Sequence, residues 1–307
     1  HPLLIQAVVD WLRERGIQDI TLADSPGGPY MEGRLRSVYA ASGMDTLTGV
    51  KLNDSLEAAP VEQPRGKVCR RFDVIGPVRQ ADFIINLPKV KTHGMTVVSL
   101  GVKNLFGVVP GLEKPALHYR HPGWEDFAGM LLDLADLIAP AVTLVDGVLA
   151  MEGDGPSGGT PRQLGYTFAS RDVFALDRFL AEAVMGLEPQ EIPLLRQARE
   201  RGWGSEAPVL IGDALEKIPP FARPRTQSAA FTGYLPGFLR APVRGAMSRI
   251  FRHRPKILRE KCIGCGRCAE SCPQKIITIA GGKAKIAPRG CISCYCCQEM
   301  CPVQAVK

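Results

Sequence analysis

No apolar run in this sequence approaches the ~18 residues that a membrane-spanning helix requires. Even the greasiest stretch, Leu131 to Val148, is interrupted by charged, proline and glycine positions. A basic-then-apolar leader is also missing, and the chain opens on His1-Pro2 without an initiator Met, from which we expect the natural sequence to extend upstream. Cysteine is nearly absent from the first 261 residues, where Cys69 stands alone. A secreted disulfide framework would spread its bridges through the domain it staples, so that reading is disfavoured. Acidic residues are lacking altogether between Lys217 and Arg259. What remains is ordinary: 307 residues, 45% hydrophobic and 22% charged, with a mean hydropathy of -0.00. That composition excludes a wholly disordered or fibrous chain and leaves room for two domains.

The acid-free segment carries ten Lys/Arg, leaving 28 basic against 31 acidic residues elsewhere, so the formal +7 belongs to this segment alone. It also holds Pro219-Pro220, Pro224, Pro236, Pro242 and Pro255, and reads as a connector over 213–255 with a short helix near Val243 to Arg252. The expected division is an α/β domain over 1–212, this connector, and a small cysteine-rich domain over 256–307.

Along the first portion, helical periodicity at Leu3 to Leu12 stops at Gly16, and Ile17 to Ala23 reads as a strand running into Asp24-Ser25-Pro26-Gly27-Gly28. A helix is expected around Arg34 to Ala41. Short apolar strands are expected at Asp82 to Leu87, Ala141 to Asp146, Tyr166 to Ser170 and Val209 to Gly212. Helical patterns fall at Trp124 to Ile138, Asp172 to Met185 and Ile192 to Arg201. This alternation predicts an α/β fold with a mostly parallel sheet and helices on both faces, plus a small α+β domain at the C-terminus. In such sheets ligands collect at the loops beyond the carboxyl ends of the strands.

Nine of the ten cysteines lie between Cys262 and Cys301. Cys262-x2-Cys265-x2-Cys268-x3-Cys272-Pro273 is repeated as Cys291-x2-Cys294-x2-Cys297-x3-Cys301-Pro302. Three thiolates at this spacing wrap one face of an iron–sulfur cube, and the fourth ligates the other cluster in two-cluster proteins. Cys262, Cys265, Cys268 and Cys301 are then expected to hold one 4Fe-4S cluster, and Cys291, Cys294, Cys297 and Cys272 the second. Gly264 and Gly266 keep side chains away from the sulfides, and a hairpin over Ile276 to Ile279 and Lys283 to Ile286 joins the halves. A pair of zinc sites is the competing reading, but zinc ribbons use paired C-x2-C knuckles rather than a triple run closing on Cys-Pro. Over 256–307 the pattern resembles bacterial-type two-cluster 4Fe-4S ferredoxins. Cys296, beside Cys297, departs from it and reads as a small buried filler, with sulfur exchange between the neighbours as the alternative.

A second constellation precedes it. Lys89, Lys91, His93, Lys103, Asn104, Lys114 and His118 lie on turn-rich segments with three of the five histidines and one glutamate within 33 residues. Lysines and backbone amides converging on such turns suit a phosphate or carboxylate, and Asp24-Ser25 would cap a helix or present amides to the same anion. A set of surface lysines is the bland alternative. Asp146, Glu152 and Asp154, on a glycine-rich stretch, could take a divalent cation such as magnesium, act as a base, or simply form turns.

Leu87-Pro88-Lys89-x-Lys91-Thr92-His93, Gly101-x-Lys103-Asn104-Leu105-Phe106-Gly107-x-x-Pro110-Gly111 and Asp146-Gly147 with Glu152-Gly153-x-Gly155-Pro156 resemble the domain of unknown function DUF362. The resemblance spans roughly 1–212, implies an iron–sulfur protein, and supplies no reaction. Its members usually continue upstream in a strand and a loop. The expected function is a redox protein that passes single electrons to or from an anionic ligand of the α/β domain. The competing reading is a non-catalytic electron or cluster carrier, docking an acidic redox partner or an anionic membrane surface through the connector. Its arginines are interleaved with Phe231, Tyr234 and Phe238. Nucleic-acid binding there is weaker because no reading motif accompanies the arginines, and neutralisation of the anionic clusters is the dull alternative. Oxygen-sensitive clusters and reduced thiolates point to the cytoplasm.

Overall fold

The computed structural model describes residues 1–206, 208–225, 254–287 and 289–307. Most of the expected connector, including Arg240, Arg244, Arg249 and Arg252 and the helix expected near Val243 to Arg252, lies outside the described residues.

Helix α1 (Pro2–Glu14) places Pro2 in its first turn, where no intrahelical amide is lost, and buries Ile5, Val9 and Leu12. Helix α2 (Glu32–Ser42) ends at Gly43, whose φ of 71° is the left-handed stop that glycine adopts without strain. Between them β1 (Thr21–Leu22) pairs in parallel with β2 (Lys51–Leu52), so the strand expected over Ile17 to Ala23 is reduced to two residues. A separate hairpin joins β3 (Ala58–Glu62) to β4 (Arg71–Ile75), followed by α3 (Gly76–Gln80).

The main sheet has five strands: β5 (Ile85–Asn86), β6 (Lys89–His93), β7 (Val97–Ser99), β8 (Val142–Glu152) and β9 (Thr160–Ser170). Their order is β5-β8-β6-β7, with β9 also on β8. The α/β class holds, but the sheet is mixed rather than mostly parallel. Parallel pairing is confined to β5 and β6 against β8, while β6–β7 and β8–β9 are antiparallel. The cause is local: the Gly- and Pro-rich run after Glu152 closes a long hairpin instead of leading to a crossover. Residues 209–212, expected as a strand, are irregular.

Helices α4 (Gly101–Asn104), α5 (Glu113–Arg120), α6 (Trp124–Ile138), α7 (Val173–Phe179) and α8 (Pro193–Glu200) complete this part. Helix α6 is apolar nearly all round, with Phe127, Met130, Leu131, Leu132 and Leu134 fully buried, so it runs through the core and not along its surface. At about 1.5–3 kcal/mol for each large side chain removed from water, these five alone anchor it firmly. Among them lies buried Asp133, whose carboxylate accepts from the amides of Lys67, Val68 and Cys69 and from Arg201 at 2.6 Å. No described helix is long and apolar enough to cross a membrane.

The cysteine-rich part contains α9 (Arg267–Glu270), the hairpin β10 (Ile277–Ala280) and β11 (Lys283–Ile286), and α10 (Cys296–Glu299). The hairpin turns on Gly281 and Gly282, both at positive φ as a tight turn of this hand requires.

Candidate functional site

The two cysteine repeats have the same backbone. Gly264 and Gly266 sit in the left-handed region at φ 69° and 80°, and their counterparts Ser293 and Tyr295 do so at 56° and 60°. Lys275 and Gln304, each three residues beyond a Cys-Pro cysteine, are left-handed as well. Gly264 has a second constraint, since a Cβ there would lie 2.3 Å from the Gly282 carbonyl oxygen.

These loops enclose two hollows. One, of about 320 Å³, is lined by Cys262, Cys265, Cys268 and Cys301 among Ile257, Ala305 and Val306. The other, of about 330 Å³, is lined by Cys272, Cys291, Cys294 and Cys297 among Ile276, Ile277 and Tyr295. Each hollow takes three cysteines from one repeat and the Cys-Pro cysteine of the other. Backbone amides donate to the sulfurs: Ala284 to Cys262 at 3.3 Å, Ser293 to Cys291 at 3.4 Å and Ala305 to Cys301 at 3.1 Å. Four sulfurs around an apolar hollow, with amides aimed at them, fit the donor set of an iron–sulfur cube. Cys296 is buried and lines neither hollow.

The basic loops converge elsewhere. His93 is 1% exposed at the end of β6, and its Nδ1 accepts from the amides of Met95 and Thr96 at 3.1 and 3.3 Å. Nε2 therefore carries the proton, and it lies 3.0 Å from Glu299 Oε1. The approach is off-axis, so neither atom completes a hydrogen bond. His118, 2% exposed on α5, stacks on Phe127 at 4.1 Å and meets the edge of Phe106, while its Nδ1 is buried without a partner. Burial, with the Lys103 charge opposing protonation, lowers its pKa to about 3, so this imidazole is neutral. Lys103 Nζ lies 4.8 Å over the Phe106 ring, a cation–π contact. Lys114 donates to the Ser25 carbonyl.

Lys91, Lys103 and Lys114 keep some surface, yet burial pulls all three ammonium groups below the ordinary lysine range, Lys114 to about 8. Glu299 answers them. Burial works against its ionisation, but contact with His93 and the charge of Lys103 more than offset this and hold its carboxyl well below the usual range. All three lysines feel the charge of Glu299, and Lys91 and Lys114 also that of Asp24. Positive charge is thus in surplus here, beside two buried imidazole nitrogens without a partner, and burial brings the pKa of the Lys114 ammonium to about 8.

Other expected site residues have structural partners. Lys89 donates to Asp146 at 2.8 Å and to the Leu149 carbonyl at 2.9 Å. The pairing of β6 with β8 shifts register between Lys89 and Lys91 through extra residues on β8, while the two lysines share a face of β6 and the Lys89 charge acts on Lys91. Asn104 donates to Asn86 at 2.8 Å. The Ser25 hydroxyl accepts from Gly111 at 2.7 Å and pins the loop carrying Lys114. Asp146, Glu152 and Asp154 do not act as one group: Lys89 holds the first, Arg162 the second at 2.6 Å and Arg225 the third at 2.7 Å. Among the described residues no three His, Cys, Asp or Glu side chains are grouped to hold a single metal ion.

Two functional residues carried no signal strong enough to single them out. Asp177, buried on α7, accepts from the amides of Gly101 and Val102 at 2.7 and 2.9 Å and so fixes the start of α4, which carries Lys103. Glu299 projects from the second cysteine repeat. Around it Met300 packs on Gly27, where a Cβ would lie 2.6 Å from its sulfur, and Gln304 donates to the Ser157 carbonyl at 3.0 Å. The repeat that lines the second hollow thus also closes the basic enclosure.

A family model for the domain of unknown function DUF362 matches residues 1–182, and one for the 4Fe-4S dicluster domain matches 261–305. The chain is 36% identical over 209 residues to "Thylakoid-associated protein sll1697" of Synechocystis sp., covering 66% of this chain and 61% of that protein. It therefore spans less than two thirds of the length of that relative. No solved structure is a significant match. With the family model covering more than half of its length and the cysteine loops folded as described, the chain belongs to the DUF362 family and carries a C-terminal 4Fe-4S iron–sulfur domain of the electron-carrier type.

Proposed function

We propose that the protein binds two 4Fe-4S clusters and moves single electrons to or from a small anion held by Lys91, His93, Lys103, Lys114 and His118. Cys262, Cys265, Cys268 and Cys301 would hold one cluster, and Cys272, Cys291, Cys294 and Cys297 the other. Bound there, such clusters supply reversible one-electron chemistry, with potentials set by burial and by hydrogen bonds to sulfur. The rest is done by the chain itself. Lys91 and Lys103 neutralise the anion, the neutral imidazoles of His93 and His118 orient it, Lys114 offers a proton, and the Phe106 and Phe127 rings exclude water. The observation that carries this reading is Glu299, which ties the loop of the second cysteine set to the anion pocket at 3.0 Å from His93. The oxygen sensitivity of exposed clusters leads us to place the protein in the cytoplasm.

Anaerobic reconstitution followed by a reductive titration tests the proposal. About eight irons and about eight labile sulfides per polypeptide should be found, with reversible bleaching. Colourless, zinc-loaded protein, or clusters that cannot be reduced and reoxidised, would exclude it.

A further inference from the structure

The two cysteine hollows are about equally open but differ in the exposure of their linings. In the second, Tyr295, Cys297 and Cys294 are buried, on the repeat that carries Glu299. In the first, Cys265 is exposed, and Ile263, also in its lining, is 62% exposed. An exposed large apolar residue beside an exposed ligand cysteine gives a contact patch at the edge of a site otherwise walled by apolar side chains.

Charge around that edge is net positive. Residues 256–307 contain nine Lys/Arg and three glutamates, and one of the three, Glu299, is spent inside the pocket. Arg259, Lys261 and Arg267 are exposed on the loop that carries Cys262, Cys265 and Cys268, with no ion pair among the described residues. Glu260 and Glu270 are the opposing charges on this stretch. Cations left unpaired beside an apolar contact residue are what steers an oppositely charged protein into a weak, fast complex.

We propose that the face formed by Arg259, Lys261, Ile263, Cys265 and Arg267 is the docking surface for an acidic one-electron carrier protein. This deepens the redox reading of the preceding subsection and rests on it. On contact one electron leaves the reduced carrier, which is oxidised by one, and the protein is reduced by one. No bond forms or breaks, and no proton need move. With Cys265 exposed in the first set and Glu299 carried by the repeat of the second, the two cysteine sets have different tasks.

The test uses the full iron-loaded chain and reduced flavodoxin, a strongly acidic one-electron carrier, as the probe. Binding is read by calorimetry with oxidised flavodoxin, and electron exchange by stopped-flow absorbance. The variant is Arg259→Glu/Lys261→Glu/Arg267→Glu, with Arg259→Glu/Lys261→Glu as a milder form should the triple fail to load iron. At low ionic strength the charge reversals should weaken binding and slow exchange by 10- to 1,000-fold, and added salt should slow the wild type towards the variant. Reduction by photoreduced deazaflavin, a small uncharged donor, should be unchanged.

Equal binding and equal rates in wild type and variants would overturn the docking surface while leaving the redox reading intact. So would a loss produced instead by reversing Arg240, Arg244 and Arg249 of the connector. Sedimentation with phosphatidylglycerol vesicles that is lost in the variant, with flavodoxin exchange unaffected, would reassign the face to an anionic membrane surface. Failure of even deazaflavin to reduce the wild type would instead defeat the redox reading itself.

Discussion

Replacing Glu299 by Gln keeps the side chain's shape and removes its charge. In the native protein this carboxylate faces His93 at 3.0 Å and offsets Lys91 and Lys103, while its side chain keeps 29% of its surface. Breaking a fully buried charge pair costs about 3–5 kcal/mol, and the residual exposure of Glu299 reduces this to about 2 kcal/mol. Such a loss should speed opening of the α10 turn by about 30-fold. Amide exchange at Glu299 and Met300, whose N–H groups donate to Tyr295 and Cys296 at 3.1 Å, reads that opening directly in the iron-loaded protein. Lys103→Met should loosen the same turn. The double variant should fall short of the sum of the singles by about 0.5–3 kcal/mol, because each single change strands the other charge. Unchanged exchange in Glu299→Gln, or strictly additive effects, would refute the claim that these charges join the two domains.

Three further outcomes follow from other parts of the structure. His118 is neutral when folded, with a pKa of about 3 against 6.5 when unfolded, so the unfolded chain binds the extra proton between those values. Stability is therefore lost as pH falls through that window, by about 2 kcal/mol between pH 6.5 and 4.5 from this group. Denaturant titration should show a shallower acid loss in His118→Phe, which keeps the stack on Phe127, and an identical slope would contradict the assignment. Cys301→Ser should damage the cluster of the first repeat and Cys272→Ser that of the second, the reverse of their positions in sequence. Mössbauer spectra showing each damaging its own repeat would contradict the crossed lining of the hollows. Asp177→Ala removes the acceptor for two buried amides at the start of α4, and a thermal unfolding scan should show a loss of about 2 kcal/mol. A melting temperature within one degree of wild type would contradict that role.

Much of this was legible in the sequence, for identifiable reasons. The cysteine spacing is rigid chemistry, so the crossed lining of the hollows could be read from eight positions. The helix at Trp124 to Ile138 was equally plain, because its apolar residues recur at helical spacing over four turns without a proline. Among the basic residues, Lys91, His93, Lys103, Lys114 and His118 do converge. Lys89 shares a face of β6 with Lys91, but its ammonium group is held by Asp146 and the Leu149 carbonyl, partners that come from a distant strand and leave no local pattern in the sequence. The mixed sheet escaped notice because glycine-rich turns close a hairpin as readily as they shape a binding loop. Glu299 is the instructive omission. It lies in the spacer of a cysteine motif more than 180 residues from Lys103, and its one signal was an isolated acid in a basic module.

The account stands on the closeness of the anion pocket to the second cysteine set. Potentiometric titration of the iron-loaded protein, followed by electron paramagnetic resonance in wild type and Lys103→Met, measures it most directly. Losing this cation should lower one midpoint potential, that of the set including Cys291, Cys294 and Cys297, by on the order of tens of millivolts. The other potential should stay where it was. Equal shifts in both, or none in either, would mean that the pocket and the second set are not electrostatically joined.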